Sequence, residues 1–175
     1  MKTLTNQEKV LDIFLNDPLE KFHLREIARL TNLNPNTILN ITNQLVKENL
    51  IKKEKKKHIV ELNANFDNKE FRIFKRISNL SKVYESGVVE FLNKKFDPEA
   101  IVLMGSYSRG EDIEKSDIDI VIISKKDYED LNLDKFYGKL GKYIHLIIVY
   151  YDKMSNEFYN NLINGIVLEG YVRKK

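Results

Sequence analysis

Asp117 and Asp119 stand two positions apart at the head of an apolar stretch, Ser116-Asp-Ile-Asp-Ile-Val-Ile-Ile123. Aspartate is depleted in strands and costly to bury unpaired, so such a pair asks for a cation. In a strand the two carboxylates share a face, separated by about 6.6 Å at a rise of roughly 3.3 Å per residue, and can converge on one divalent ion or a close pair. Ten residues separate them from Gly105-Ser106, which follows a second short apolar run at 101–104. Glycine there lets the backbone approach a ligand closely, a helix opening just after it would aim free N–H groups at phosphate, and Ser106 adds a hydroxyl.

Residues 105–121 resemble the signature of the minimal nucleotidyltransferases of the DNA polymerase β superfamily: a glycine-serine pair, about ten residues, then Asp-x-Asp. The Ser116-Asp-Ile-Asp-Ile wording and the Arg109-Gly110 pair are similar to that family too. The resemblance implies a Mg²⁺-dependent enzyme that moves a nucleoside monophosphate, AMP from ATP foremost, onto an acceptor hydroxyl. It implies Asp117 and Asp119 as catalytic metal ligands, Gly105 and Ser106 as the triphosphate cradle and Arg109 as a phosphate contact. The same spacing resembles the antitoxins of HEPN–MNT toxin–antitoxin pairs, which adenylylate their partner toxin, and so brings in a protein acceptor such as a HEPN toxin.

The family pattern continues with a third carboxylate on the next central strand. Here the strand-like stretch 143–150 offers His145 instead. Mg²⁺ prefers oxygen donors, which makes imidazole a poor replacement as ligand. Histidine titrates near neutrality and could serve as the general base; it could equally be an ordinary strand histidine bonded to a neighbour. Asp152, at the end of that strand, is the nearest acidic alternative. The alternative to catalysis is a catalytically weak or inactive regulator or antitoxin whose nucleotidyltransferase-like domain senses a nucleotide.

The chain has 175 residues, 42% of them apolar, enough for two small packed cores. No apolar run nears the length of a membrane span, and the first residues lack the apolar core of a signal peptide. Without cysteine there is no disulfide framework or thiolate metal site, which fits the cytoplasm. The net charge of +3 is unevenly spread: residues 1–96 carry 18 Lys and Arg against 12 Asp and Glu, and residues 97–175 carry 11 against 14. A basic front suits a polyanion and an acidic back suits a site that collects Mg²⁺.

The front half reads as helix (5–16), helix (24–30), turn, then a third helix opened by Pro35 and ended near Asn49. The lysine run 52–57 reads as the tip of a β-hairpin between Ile51 and residues 59–62. This order resembles winged helix-turn-helix domains of transcription regulators, which implies duplex DNA as a partner. In that reading Asn36, Thr37, Asn40 and Asn43 of the third helix face the major groove, and Lys53, Lys55, Lys56 and Lys57 reach phosphate. Apolar residues then recur at helical spacing from 69 to 95, interrupted by Gly87, giving a long connecting helix that packs on the domain or seams a homodimer. Beyond it, strands at 101–104, 118–123, 143–150 and 166–168 alternate with helices expected at 127–140 and 153–164. The expected architecture is therefore two-domain, α+β joined to α/β: an N-terminal winged helix-turn-helix at 1–64, a connecting helix at 65–96 and a nucleotidyltransferase-fold mixed α/β sheet at 97–175.

Overall fold

The computed structural model describes residues 4–56, 59–126 and 131–174. It is a mixed α/β structure with two sheets, and the chain divides into two compact units, Met1–Lys75 and Arg76–Lys175. The boundary falls inside a helix, because Phe71 is buried in the first unit's core and Val83, further along the same helix, in the second's. The polar segment 63–68 is tied down: Asn65 and Asn68 both donate side-chain hydrogen bonds to the Asn49 carbonyl, at 2.9 and 2.8 Å.

In the first unit, α1 (Asn6–Asn16) starts on a reciprocal cap, with Thr5 Oγ1 accepting from the Glu8 N–H and Glu8 Oε2 from the Thr5 N–H. A two-residue strand, β1 (Lys21–Phe22), precedes α2 (Leu24–Thr31). Next, α3 (Pro35–Lys47) carries proline in its first turn and is capped by Asn34, whose side chain accepts from the Asn36 N–H. Past its end Asn49 takes the left-handed conformation, φ 59°, and the Leu50 N–H reaches the Leu45 carbonyl, closing the terminus. Two antiparallel strands follow, β2 (Ile51–Lys56) and β3 (Ile59–Ala64), with β1 on the far edge of β3. The core gathers Val10, Phe14, Ile27, Ile38, Leu45 and Leu62.

The lysine run is therefore not a hairpin tip. Lys52 to Lys55 lie in β2, each in register with a residue of β3, with Ile51 buried at the base of the strand and residues 52–55 exposed beyond it. Lys56 adds its backbone to β2; its side chain and Lys57 lie outside the described residues.

The second unit opens with the end of α4 (Lys69–Ser86) and with α5 (Val88–Phe96). The single long helix expected here is two, since Gly87 sits at φ 82° and the Ser86 hydroxyl accepts from the Val88 N–H to start the second. Ile73, Phe74, Ile77 and Tyr84 of α4 remain exposed. Four strands follow, β4 (Ala100–Leu103), β5 (Ile118–Ile123), β6 (Ile144–Val149) and β7 (Ile166–Gly170), in spatial order β6-β5-β4-β7. β5 and β6 run parallel; β4 is antiparallel to both its neighbours. One face of the sheet, including Ile101, Leu103, Ile118 and Ile120, packs on Val89, Leu92 and Phe96. The other, with Val102, Val121 and Ile123, packs on Tyr151, Met154 and Leu162.

Between the strands the helices are shorter than expected. After β4 comes one turn, α6 (Gly105–Arg109). Of the helix expected at 127–140, residues 127–130 lie outside the described residues; a 3₁₀ turn at Asp134–Phe136 and α7 (Tyr137–Leu140) are all that is helical after them, because Asn132 Oδ1 accepts from the Asp134 N–H and starts the turn there. The helix expected at 153–164 divides likewise into a 3₁₀ turn, Tyr151–Lys153, and α8 (Asn156–Leu162), which Ser155 caps. No helix among the described residues is long and apolar enough to cross a membrane.

Candidate active site

Asp119 is the second residue of β5, half-buried on the sheet face that α8 shares. Strand register brings it two neighbours. The antiparallel β4 ends alongside it, with the Met104 N–H donating to the Asp119 carbonyl at 2.9 Å, so the next residue, Gly105, turns its Cα towards the carboxylate. A Cβ built on Gly105 would run into Asp119 Oδ2, and the glycine sits at φ 68°. On the other side the parallel β6 places His145 directly opposite, and its Nδ1 lies 3.0 Å from Asp119 Oδ1. An ionised carboxylate only accepts, so Nδ1–H donates and a neutral ring keeps Nε2 as its acceptor. The two Asp119 oxygens thus have different fates: Oδ1 is held by imidazole and Oδ2 has no protein partner among the described residues.

Asp117 stands one residue before β5 and is exposed, with no hydrogen-bond or ion-pair partner among the described residues. The two carboxylates do not simply face one another uncompensated. One is open to solvent and the other is half satisfied. Ser106 is half-buried in α6, while Arg109 is exposed and its Nε donates to Glu111 Oε2 at 2.7 Å. At five residues α6 contributes little macrodipole, so the approach to phosphate comes from the bare Gly105 backbone more than from helix length. Asp152 lies in the 3₁₀ turn beyond the far end of β6, seven residues past His145, beside Ser124 and Lys125. It is no substitute for a third carboxylate at Asp119. Among the described residues no group of three or more His, Cys, Asp and Glu side chains could hold a metal.

Three residues near the site carried no functional signal in the sequence. Asp112 is fully buried; its Oδ1 accepts from Asn79 Nδ2 at 2.6 Å and its Oδ2 lies 3.6 Å from Lys142 Nζ. Asn79 also donates to the Tyr107 carbonyl in α6, and Lys142 to the carbonyls of Ile113 and Glu114. Together they clamp the loop that leads from α6 to Asp117 and Asp119. Only the rarity of a buried aspartate marks it, and burial is not written in a loop sequence.

In the first unit, Asn36, Asn40 and Asn43 form an exposed stripe on α3, with Thr37 half-buried beside them. Lys53 Nζ donates to Asn43 Oδ1 at 3.2 Å, joining β2 to that stripe, and Lys55 shares its strand face.

Residues 85–171 match the family model described as the nucleotidyltransferase domain. The matched segment contains Gly105, Ser106, Asp117, Asp119 and His145, and it supports placing this part of the chain in the nucleotidyltransferase superfamily. Domains of that family act on a nucleotide substrate by nucleotidyl transfer and generally use a divalent metal such as Mg²⁺. No curated protein and no solved structure matches the chain.

Proposed function

We propose that the second unit transfers AMP from ATP to a hydroxyl acceptor. The observation that carries this reading is Asp119, fixed through one oxygen by His145 with the other left open beside a side-chain-free Gly105. Mg²⁺ fits the donor set, because it needs only one or two protein carboxylates and completes its shell with water and phosphate oxygens. Asp117 and Asp119 would hold it, and it would supply neutralisation of the phosphate charge as pyrophosphate leaves. The Gly105 backbone and Ser106 hold the triphosphate, and Arg109 adds a cation at its flank. The acceptor oxygen forms its bond to the α-phosphorus as the bond to the pyrophosphate oxygen breaks. The acceptor's proton passes to His145 Nε2, the nitrogen its bond to Asp119 leaves available.

Incubating the protein with Mg²⁺, ATP labelled at the α-phosphate and a lysate of its source should label a protein or RNA, and Asp119→Asn should abolish that label. A protein hydroxyl, as on a partner toxin, is the favoured acceptor. A second reading, a nucleotide sensor without chemistry, is favoured by His145, which stands beside Asp119 where the family pattern has a third carboxylate. Metal-dependent ATP binding with no label on any acceptor would select it.

For the first unit, a winged helix-turn-helix that binds duplex DNA is supported by the order helix, short strand, helix, helix, hairpin and by the asparagine stripe bonded to Lys53. In this reading α3 enters the major groove and Lys53, Lys55 and Lys56 reach phosphate. Each phosphate contact contributes roughly 0.9 to the log–log salt slope of binding, so changing these three lysines to alanine should lower it by about 2.7. An unchanged slope would remove the lysines from the interface.

A further inference from the structure

A cleft of 370 Å³ lies beside Gly105, with Met104, Gly105 and Arg109 on one side and Asn161 and Asn164 on the other. Its size falls within the roughly 300–1,000 Å³ of small-ligand sites. Asn161 is in the last turn of α8 and Asn164 just past it, both exposed. Asn164 Nδ2 donates to the Asn160 carbonyl at 2.6 Å, which orients the amide and leaves Oδ1 to accept. The Asn161 side chain has no protein partner among the described residues, so it offers both a donor and an acceptor. The turn that carries them is fixed against β4: a side chain on Gly165 would run into Val102 and the Leu103 carbonyl.

Among the described residues no carboxylate and no lysine lines this cleft, and the one cation among them, Arg109, is engaged by Glu111. Paired amides over an apolar Met104 suit a flat, uncharged group with a donor–acceptor edge. They suit neither a basic peptide nor a free phosphate. We infer that the cleft seats the nucleoside end of the nucleotide, with Asn161 and Asn164 reading the base. Adenine presents such an edge at N6–H and N7, and the AMP transfer proposed above makes it the base expected here. The inference rests on the proposal that Gly105 and Asp119 hold the triphosphate, which lies at the mouth of the same cleft.

Calorimetry on the full chain with Mg²⁺ separates the two ideas, using inorganic tripolyphosphate as a probe of the phosphate site alone and the four nucleoside triphosphates as probes of the cleft. ATP should bind more tightly than tripolyphosphate and than CTP or UTP. The double variant Asn161→Ala, Asn164→Ala should lose that advantage, about 10-fold or more, while tripolyphosphate binds as before and so reports an intact fold. An ATP preference that survives in the double variant, or equal affinity for all four nucleotides in the unaltered chain, overturns the assignment of the cleft while leaving the phosphate site standing. Failure of the unaltered chain to bind Mg²⁺ with tripolyphosphate overturns the phosphate site itself, and this inference with it.

Discussion

In the β2–β3 hairpin of the first unit, two carboxylates stand directly opposite one another, Glu54 against Glu61; in the parallel β5–β6 pair of the second, Asp119 stands opposite His145. Like charges paired across strands are unfavourable, and the hairpin answers with Lys21 from β1, whose Nζ lies 3.3 Å from Glu54 and 3.1 Å from Glu61. That cluster carries its own cation. Asp112 is closed too, between Asn79 and Lys142 in the interior. Asp119 differs, because His145 occupies one oxygen and no described residue occupies the other. A carboxylate closed by the chain is structural, and one the chain leaves half open is set up for a ligand that is not part of the chain.

The sharpest test of this contrast is Asp112→Ala. Removing one partner of a buried pair leaves Lys142 without its counter-charge and Asn79 without one of its acceptors, and the expected loss is about 3 kcal/mol in the denaturant midpoint analysis of the second unit. A loss below about 1 kcal/mol would mean that Asp112 is not closed in the sense argued here. Asp119→Asn should do the opposite: little change in melting, but metal-dependent ATP affinity reduced by roughly 100-fold, measured by calorimetry. Equal affinity in both proteins would take the open carboxylate out of the site.

His145 lies between these extremes. His145→Ala frees Asp119 to rotate, and loss of such an orienting partner typically costs roughly 10-fold in metal affinity, whereas a general base would cost about 10²–10⁴-fold in turnover with binding nearly kept. His145→Asp adds a hard oxygen donor beside Asp119 and should tighten metal binding. If neither substitution changes binding or turnover, the Asp119–His145 bond is a surface contact like any other. The smallest effect is expected for Lys21→Ala. Lys21 and Glu54 are exposed and Glu61 is half-buried, so solvent screens the cluster and the hairpin should lose less than about 1 kcal/mol despite two short ion pairs.

How much of this was legible depended on how far apart in sequence the partners lie. Gly105-Ser106 and Asp117-x-Asp119 could be read because a glycine before a turn and a carboxylate at a strand start are local signals. That His145 touches Asp119 needed the strand order as well, since the two are 26 residues apart and meet only because β6 runs parallel beside β5. Asp112 was illegible because Asn79, its hydrogen-bond partner, is 33 residues away; in a polar loop its carboxylate reads as solvated. The lysine run misled through composition: β2 is held by its ladder to β3, and one buried residue at its base, Ile51, is enough to set its register. In the described part of the helix expected at 127–140, an Asx turn at Asn132 delays the helical residues to 134, a competition between side chain and backbone that periodicity does not detect.

Gly105 makes no side-chain contact, and yet in a library of random substitutions it should behave as one of the least replaceable positions in the chain. Any other residue there would have to adopt φ 68° and push aside the Asp119 carboxylate at the same time. Gly138 has open space where a side chain would go and no such backbone constraint, and should accept almost anything. The sequence record of such a screen would therefore mark the site by an atom that is absent.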